Sequence, residues 1–221
     1  MRTAQRLVPV LLLVSAAMFA YAPYAISAAP RESTMGLIQK IFYFHVPAAA
    51  TAMFSAFVCG GASGAYLWRR RPMADHLAVA AAELVVVFGL IVLVTGPLWA
   101  RKAWGVWWQW EVRLTITLVM WLVFVAYLLL RRFGGPGSDV LAAAVGLFGA
   151  VLVPFVYWSV NVWRTLHPPT TVAINLPPEM MHPFLLSMCA FLLFGTALTI
   201  VRVRLERARA TLEDAWLAVE D

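Results

Sequence analysis

Two histidines and a dense run of tryptophans carry most of the chemistry written into this chain. His45 sits in Ile41-Phe42-Tyr43-Phe44-His45-Val46-Pro47, and His167 in Trp163-Arg164-Thr165-Leu166-His167-Pro168-Pro169. Between them, residues 99–113 read Trp-Ala-Arg-Lys-Ala-Trp-Gly-Val-Trp-Trp-Gln-Trp-Glu-Val-Arg, which places five of the ten tryptophans within twelve positions. Read as a helix, Trp104, Trp107, Trp108 and Glu111 fall at i, i+3, i+4 and i+7, so three indoles and one carboxylate share a face. Tryptophan is enriched wherever lipid meets water, but such a belt spreads over both interfaces and many helix ends. Concentration in a single loop points instead to a platform for a flat, apolar ligand.

Two neutral imidazoles framing flat aromatic side chains match the needs of haem: two axial nitrogens for iron and an apolar slot for the porphyrin. Haem also carries two propionates, which favour cations at the wet edge of the slot. Arg113 and Lys40 are the best placed, against the plainer reading of both as snorkelling interface residues. Glu111, an anion, is suited to accept an indole N–H, to fix Arg113 or to face a protein partner. His76, beside Arg69–Arg71, and His182, just before Pro183, read as surface or capping residues. Cys59 and Cys189 lie in separate apolar runs with no C-x-x-C pairing, which argues against thiol–disulfide exchange and for small apolar fillers.

The elements that must position these groups are membrane helices. The 221 residues are 62% hydrophobic and 13% charged, well short of the roughly 25–35% charged surface of a small soluble domain. Six apolar runs, at residues 7–29, 46–68, 77–99, 114–130, 140–160 and 183–201, are each long enough to cross a hydrocarbon core of about 30 Å at about 1.5 Å per residue. The fold class expected is a single all-α polytopic membrane domain over residues 1–221, with short amphipathic interfacial helices in the Trp-rich outer loop 99–113 and a solvated helical tail at 202–221. The first run follows Arg2 and Arg6 and ends in small residues as a signal peptide does. Its apolar core is longer than the about 7–15 residues of a signal peptide, so it is expected to be retained as a span.

Eleven of the 17 Lys and Arg fall in the even-numbered loops and at the termini, six in the odd-numbered loops. Cationic loops stay inside, so both termini are expected in the cytoplasm and the Trp-rich loop, His45 and His167 on the opposite side. The net charge of +6 is then a matter of topology, and no basic-aromatic module for nucleic acid accompanies it. Gly60, Gly61 and Gly64 in the second run are a signal for close helix packing. Glu83 is the one ionisable group clearly inside a run, and such a carboxylate is a functional candidate by default.

On these residues the chain resembles the tryptophan-rich (WWD-type) haem-handling superfamily of cytochrome c maturation, and within it the C-component family. The Trp104-Gly105-Val-Trp107-Trp108-Gln-Trp110-Glu111 stretch resembles its signature, and the Phe-His45-Val-Pro47 and Trp163-Arg-Thr-Leu-His167 segments resemble its two histidine sites. The signature usually ends in Asp where this chain has Glu111. The resemblance implies a six-helix protein of the bacterial inner membrane that holds non-covalent b-type haem at its periplasmic face between His45 and His167. Trp104, Gly105, Trp107, Trp108, Trp110, Glu111, Arg113 and Lys40 would line the site. It further implies delivery to a periplasmic haem chaperone (protein E of the system), alongside a small single-span subunit (protein D) and an ATP-binding-cassette pair (proteins A and B). The chain is not expected to be an enzyme, and it has no G-x-x-x-x-G-K-[ST] phosphate loop of its own. An electron carrier of the b-cytochrome type is the alternative, although such proteins usually bury paired histidines within spans. A solute permease would need broken spans or polar groups at mid-membrane, and Glu83 and Pro154 are the only hints of either.

Overall fold

In lipid a chain must satisfy its backbone hydrogen bonds within each segment, which leaves apolar runs of this length one choice, the helix. The computed structural model describes residues 2–220 and contains α1 (Arg2–Ala28), α2 (Phe42–Arg69), α3 (Pro72–Ala103), α4 (Val112–Phe133), α5 (Ser138–Val162) and α6 (Pro178–Glu220). All six are long and apolar enough to cross a membrane. Two short 3-10 turns, Leu37–Ile41 and Thr170–Asn175, stand in the first and third loops at the end of the bundle opposite the chain termini, the outer end. Large apolar side chains such as Phe54, Phe57, Phe148 and Phe155 are more than half exposed, as a lipid-facing surface requires. The side chains of Arg2 and Arg6, part of the basic side of the charge asymmetry, lie outside the described residues.

The helices are longer than the apolar runs because polar ends continue the same hydrogen-bond ladder. The 43 residues of α6 would extend about 64 Å at about 1.5 Å per residue, roughly twice the hydrocarbon thickness, so the tail beyond residue 201 is one helix with the sixth span. The second helix begins at Phe42, which puts His45 inside its first turn and Pro47 within the helix. Starting the span at Val46 had left His45 in the preceding loop.

Helices α2, α3, α4 and α5 pack together, with Cys59, Val85, Phe124, Tyr127, Val153 and Val156 buried among them. Helix α6 lies across α2 and α3, and α1 packs chiefly on α6. Small residues set the closest crossings. A Cβ at Gly60 would overlap the Ala150 methyl of α5, and one at Gly146 would come within 2.8 Å of the Ser63 hydroxyl. Gly61 and Gly64, grouped with Gly60 in the sequence, meet no neighbour. Only one of the three therefore bears on the α2–α5 crossing.

The end of the bundle that carries the chain termini is stitched by ion pairs. Arg131 meets Asp75 at 2.6 Å, Tyr66 donates to Asp139, and Arg202 binds Glu83 through two nitrogens while also pairing with Glu206 at 2.9 Å. Glu83 thus has a structural partner 119 residues away and ties α3 to α6. Replacing Gly60 by Ala should destabilise the detergent-solubilised protein by about 1–3 kcal/mol, the usual cost of forcing a methyl into a tight contact. Gly61→Ala should be neutral or slightly stabilising through helix propensity. Thermal unfolding of the two variants beside the wild type checks the crossing.

Candidate functional site

All three outer loops meet at one end of the bundle because six antiparallel helices alternate direction, and they bring the two histidines together. His45 on α2 faces α3: its Nδ1 lies 2.8 Å from Thr95 Oγ1, and a Cβ on Gly96 would sit 3.4 Å from its Cε1. The Thr95 hydroxyl has a single hydrogen, which it donates to the Ile91 carbonyl at 2.7 Å. Its oxygen must therefore accept from His45, which places the His45 proton on Nδ1 and leaves Nε2 with a free lone pair.

His167 reaches the same state by another route. Helix α5 ends at Val162, and the Pro168–Pro169 pair prevents a new helix before the 3-10 turn, so the imidazole stands in a loop. Its Nδ1 lies 2.9 Å from the Pro168 carbonyl. A carbonyl can only accept, so Nδ1 again carries the proton and Nε2 is free. This pairing of Nδ1–H with an oxygen is how metal-ligating histidines are usually oriented. His45 and His167 are close enough to interact electrostatically, and Arg113 lies within range of both.

The tryptophans do not form the single helical face that their spacing suggested. Residues 104–111 leave the helix as a turn, bends and extended chain. Gly105 takes φ +80, a left-handed conformation open to glycine, and its carbonyl accepts from the Arg101 guanidinium. Short amphipathic helices in this loop are accordingly absent among the described residues. The indoles instead make edge-to-face pairs, Trp99 with Trp104 at 5.0 Å and Trp108 with Trp110 at 5.7 Å. Trp104 also meets the His167 ring at 6.5 Å. A contiguous line thus runs from His45 through Thr95 and Gly96 of α3 to Trp99, Trp104 and His167. Trp107 and Trp110 are exposed, and Trp104 and Trp108 half-buried.

Glu111 has a partner that no local pattern could reveal. Its Oε2 accepts from the Thr165 hydroxyl at 2.6 Å and from the Leu166 amide at 2.9 Å. Thr165 Oγ1 in turn accepts from the His167 amide at 3.0 Å. Buried atoms without a partner cluster in the same stretch: Trp108 Nε1, Glu111 Oε1 and Arg113 Nη1. Lys40 is not among this group, for its ammonium donates to the Ile26 and Ser27 carbonyls at 2.7 and 2.9 Å and caps α1. His76 lies on α3 and His182 near the start of α6. Cys59 and Cys189 are unpaired thiols on separate helices.

The positions missed from the sequence were Thr95, Gly96 and Thr165. Thr95 stands four residues after Ile91 on α3, a common place for a threonine to bond its own helix, and nothing in its spacing tells of His45.

Burial pushes the His167 imidazole down to about 4 from its ordinary 6.5, with help from the nearby Arg113 charge and partial opposition from the Pro168 carbonyl. A group whose pKa is lower folded than unfolded binds protons more weakly in the native state. Its effect on stability is absent above about pH 6.5 and destabilising as pH falls from there toward 4. His167→Gln should therefore flatten the loss of thermal stability across that window, measured as the change in Tm between pH 7 and pH 4.5 relative to wild type.

The family model described as Heme exporter protein C matches residues 1–218. The Heme exporter protein C of Bradyrhizobium diazoefficiens is 35% identical over 211 residues, 92% of this chain and 80% of that one. Its counterpart in Escherichia coli K12 is 35% identical over 184 residues, 80% of this chain and 73% of the other. A putative cytochrome c biosynthesis ccmC-like mitochondrial protein of Marchantia polymorpha is 28% identical over 179 residues, 80% of this chain and 77% of that one. The match runs through every helix and all three outer loops, and this chain belongs to the Heme exporter protein C family.

Proposed function

We propose that the chain binds haem at the outer end of its bundle and hands it to a periplasmic acceptor during c-type cytochrome assembly. The observation that carries this is the pair of imidazoles, His45 and His167, each with its Nδ1–H held by an oxygen and its Nε2 free. Among the described residues no three His, Cys, Asp or Glu gather as a metal cage. Haem iron needs none, since four porphyrin nitrogens leave it two axial positions to fill. The family membership and the names of the relatives support the same cargo.

The partnerless buried atoms fit the rest of the group. Trp108 Nε1–H and Arg113 Nη1 are donors aimed at nothing within the chain, and buried donors of that kind cost free energy unless something accepts from them. Propionate oxygens are suitable acceptors. Lys40, expected in that role, is occupied at the end of α1, so Arg113 and Trp108 take the assignment. The edge-paired indoles of Trp104 and Trp110 supply apolar walls, Gly105 shapes the turn between them, and exposed Trp107 remains free to meet haem or a protein. The haem would be of b type, held without a covalent bond, and the six positively charged outer residues against eleven inner ones support a periplasmic site in a bacterial inner membrane.

Delivery would run to a periplasmic haem chaperone, with a single-span subunit and an ATP-binding-cassette pair as partners. The resemblance supports those partners, and the absence of a phosphate-loop motif in the sequence supports an external source of energy. The residues act by holding and orienting haem, which makes the protein a transport component and not an enzyme.

The test is the absorbance spectrum of the purified protein after hemin addition. Wild type should show a six-coordinate low-spin Soret band, and His45→Ala and His167→Ala should each shift and weaken it. Unchanged spectra in both variants would remove the ligand assignment. Hemin transfer to added chaperone, without rapid reduction of the bound hemin by quinol, separates haem handling from electron carriage.

A further inference from the structure

We propose that Glu111 is the positioning residue for His167: its carboxylate holds the backbone that leads into that residue and thereby sets where the imidazole stands. The inference rests on the reading of His167 as a haem ligand. The loop from Arg164 to Pro169 has no helix or strand to hold it. Its Leu166 amide is bound directly by Glu111 Oε2, and its His167 amide is bound by Thr165 Oγ1, whose own proton goes to the same Oε2.

The Thr165 hydroxyl and the Leu166 amide thus converge on one oxygen of a side chain 54 and 55 residues earlier in the chain, and the hydroxyl relays that hold to the His167 amide. Hydrogen bonds to an ionised acceptor are roughly twice as strong as neutral ones, and their directions are fixed by the donors. The third contact, from His167 Nδ1–H to the Pro168 carbonyl, then orients the ring relative to a backbone that Glu111 has already placed.

Glu111 itself is anchored from below. It precedes α4 in an extended conformation, φ −90 and ψ 162, and its carbonyl accepts the Thr115 amide at 3.0 Å. That backbone posture directs the side chain away from its own helix; Glu111 makes no cap bond to α4 and spends its carboxylate on the neighbouring loop. The start of α4 and the exit from α5 are therefore coupled through one residue.

The alternative within the same chemistry is that Glu111 acts through charge alone, by balancing Arg113. Three variants separate the two. Glu111→Gln keeps an acceptor oxygen and removes the charge, Glu111→Ala removes both, and Thr165→Val removes the hydroxyl relay while leaving the carboxylate.

Amide hydrogen exchange of the haem-free protein, followed in peptides covering residues 163–167, reads the loop without any ligand. Positioning predicts exchange about tenfold or more faster in Glu111→Ala, clearly faster in Thr165→Val and faster by a smaller factor in Glu111→Gln, whose neutral oxygen accepts more weakly than a carboxylate. Protection within α2 to α5 should not change, which shows that the bundle is folded.

After hemin addition, Glu111→Ala and Thr165→Val should shift toward the spectrum of His167→Gly, while Glu111→Gln shifts less than Glu111→Ala. Unchanged exchange in Glu111→Ala, or Glu111→Gln as impaired as Glu111→Ala beside a silent Thr165→Val, overturns the proposal. If His167→Gly leaves the hemin spectrum untouched, the ligand reading fails, and the haem-free exchange still decides whether Glu111 holds the loop.

Discussion

The bilayer leaves irregular backbone nowhere to go except the ends of the helices, and this constraint arranges everything else in the protein. A non-helical segment in hydrocarbon exposes N–H and C=O groups at a cost of several kcal/mol each. All the turns, bends and extended residues of this chain therefore lie between helices. Alternation of six helices gathers the loops 29–41, 104–111 and 163–177 at a single end. Chemistry that needs a strained glycine, a proline-bounded histidine and a carboxylate reaching sideways can be assembled only there.

Within that end, two different devices produce one chemical result. His45 is carried by a helix and gives its Nδ1 proton to Thr95 of the neighbouring helix, so its orientation is inherited from the α2–α3 packing. His167 is carried by a loop and gives its Nδ1 proton to the next residue's carbonyl. The first is as rigid as the bundle. The second is rigid only as far as something fixes the loop, and the Glu111–Thr165–Leu166 bonds are what fixes it. The two imidazoles are thus held by unlike means, one through helix packing and one through a loop.

The six helices were legible because hydropathy is local and the lipid enforces it. The two histidines and the tryptophan run were legible because residue type and spacing survive without knowledge of contacts. The helical face assigned to Trp104, Trp107, Trp108 and Glu111 was wrong because periodicity assumes regular backbone, and Gly105 at φ +80 breaks the register within one residue of Trp104. Lys40 was matched to propionates by its closeness to His45 in sequence, and in the structure its ammonium holds two carbonyls at the end of α1. Glu83, charged and inside a span, has Arg202 as its partner across 119 positions. Contacts between residues far apart in the chain, and carbonyls that every residue possesses, leave no mark on composition.

The two ends of the bundle now read as different solutions to placing charge near lipid. At the terminal end three carboxylates meet a cation or a tyrosine: Asp75 with Arg131, Glu83 with Arg202, Asp139 with Tyr66. Such pairs at an interface contribute little individually, but together with the Gly60–Ala150 and Gly146–Ser63 contacts they join α2 to α5, α3 to α4 and α3 to α6. At the outer end the polar groups are incompletely matched, with Trp108 Nε1, Glu111 Oε1 and Arg113 Nη1 buried and open. A folded chain tolerates such orphans only where stability gained elsewhere exceeds their cost. The stitched end supplies that stability, and the open end is left with donors and lone pairs to spend on something other than the protein itself.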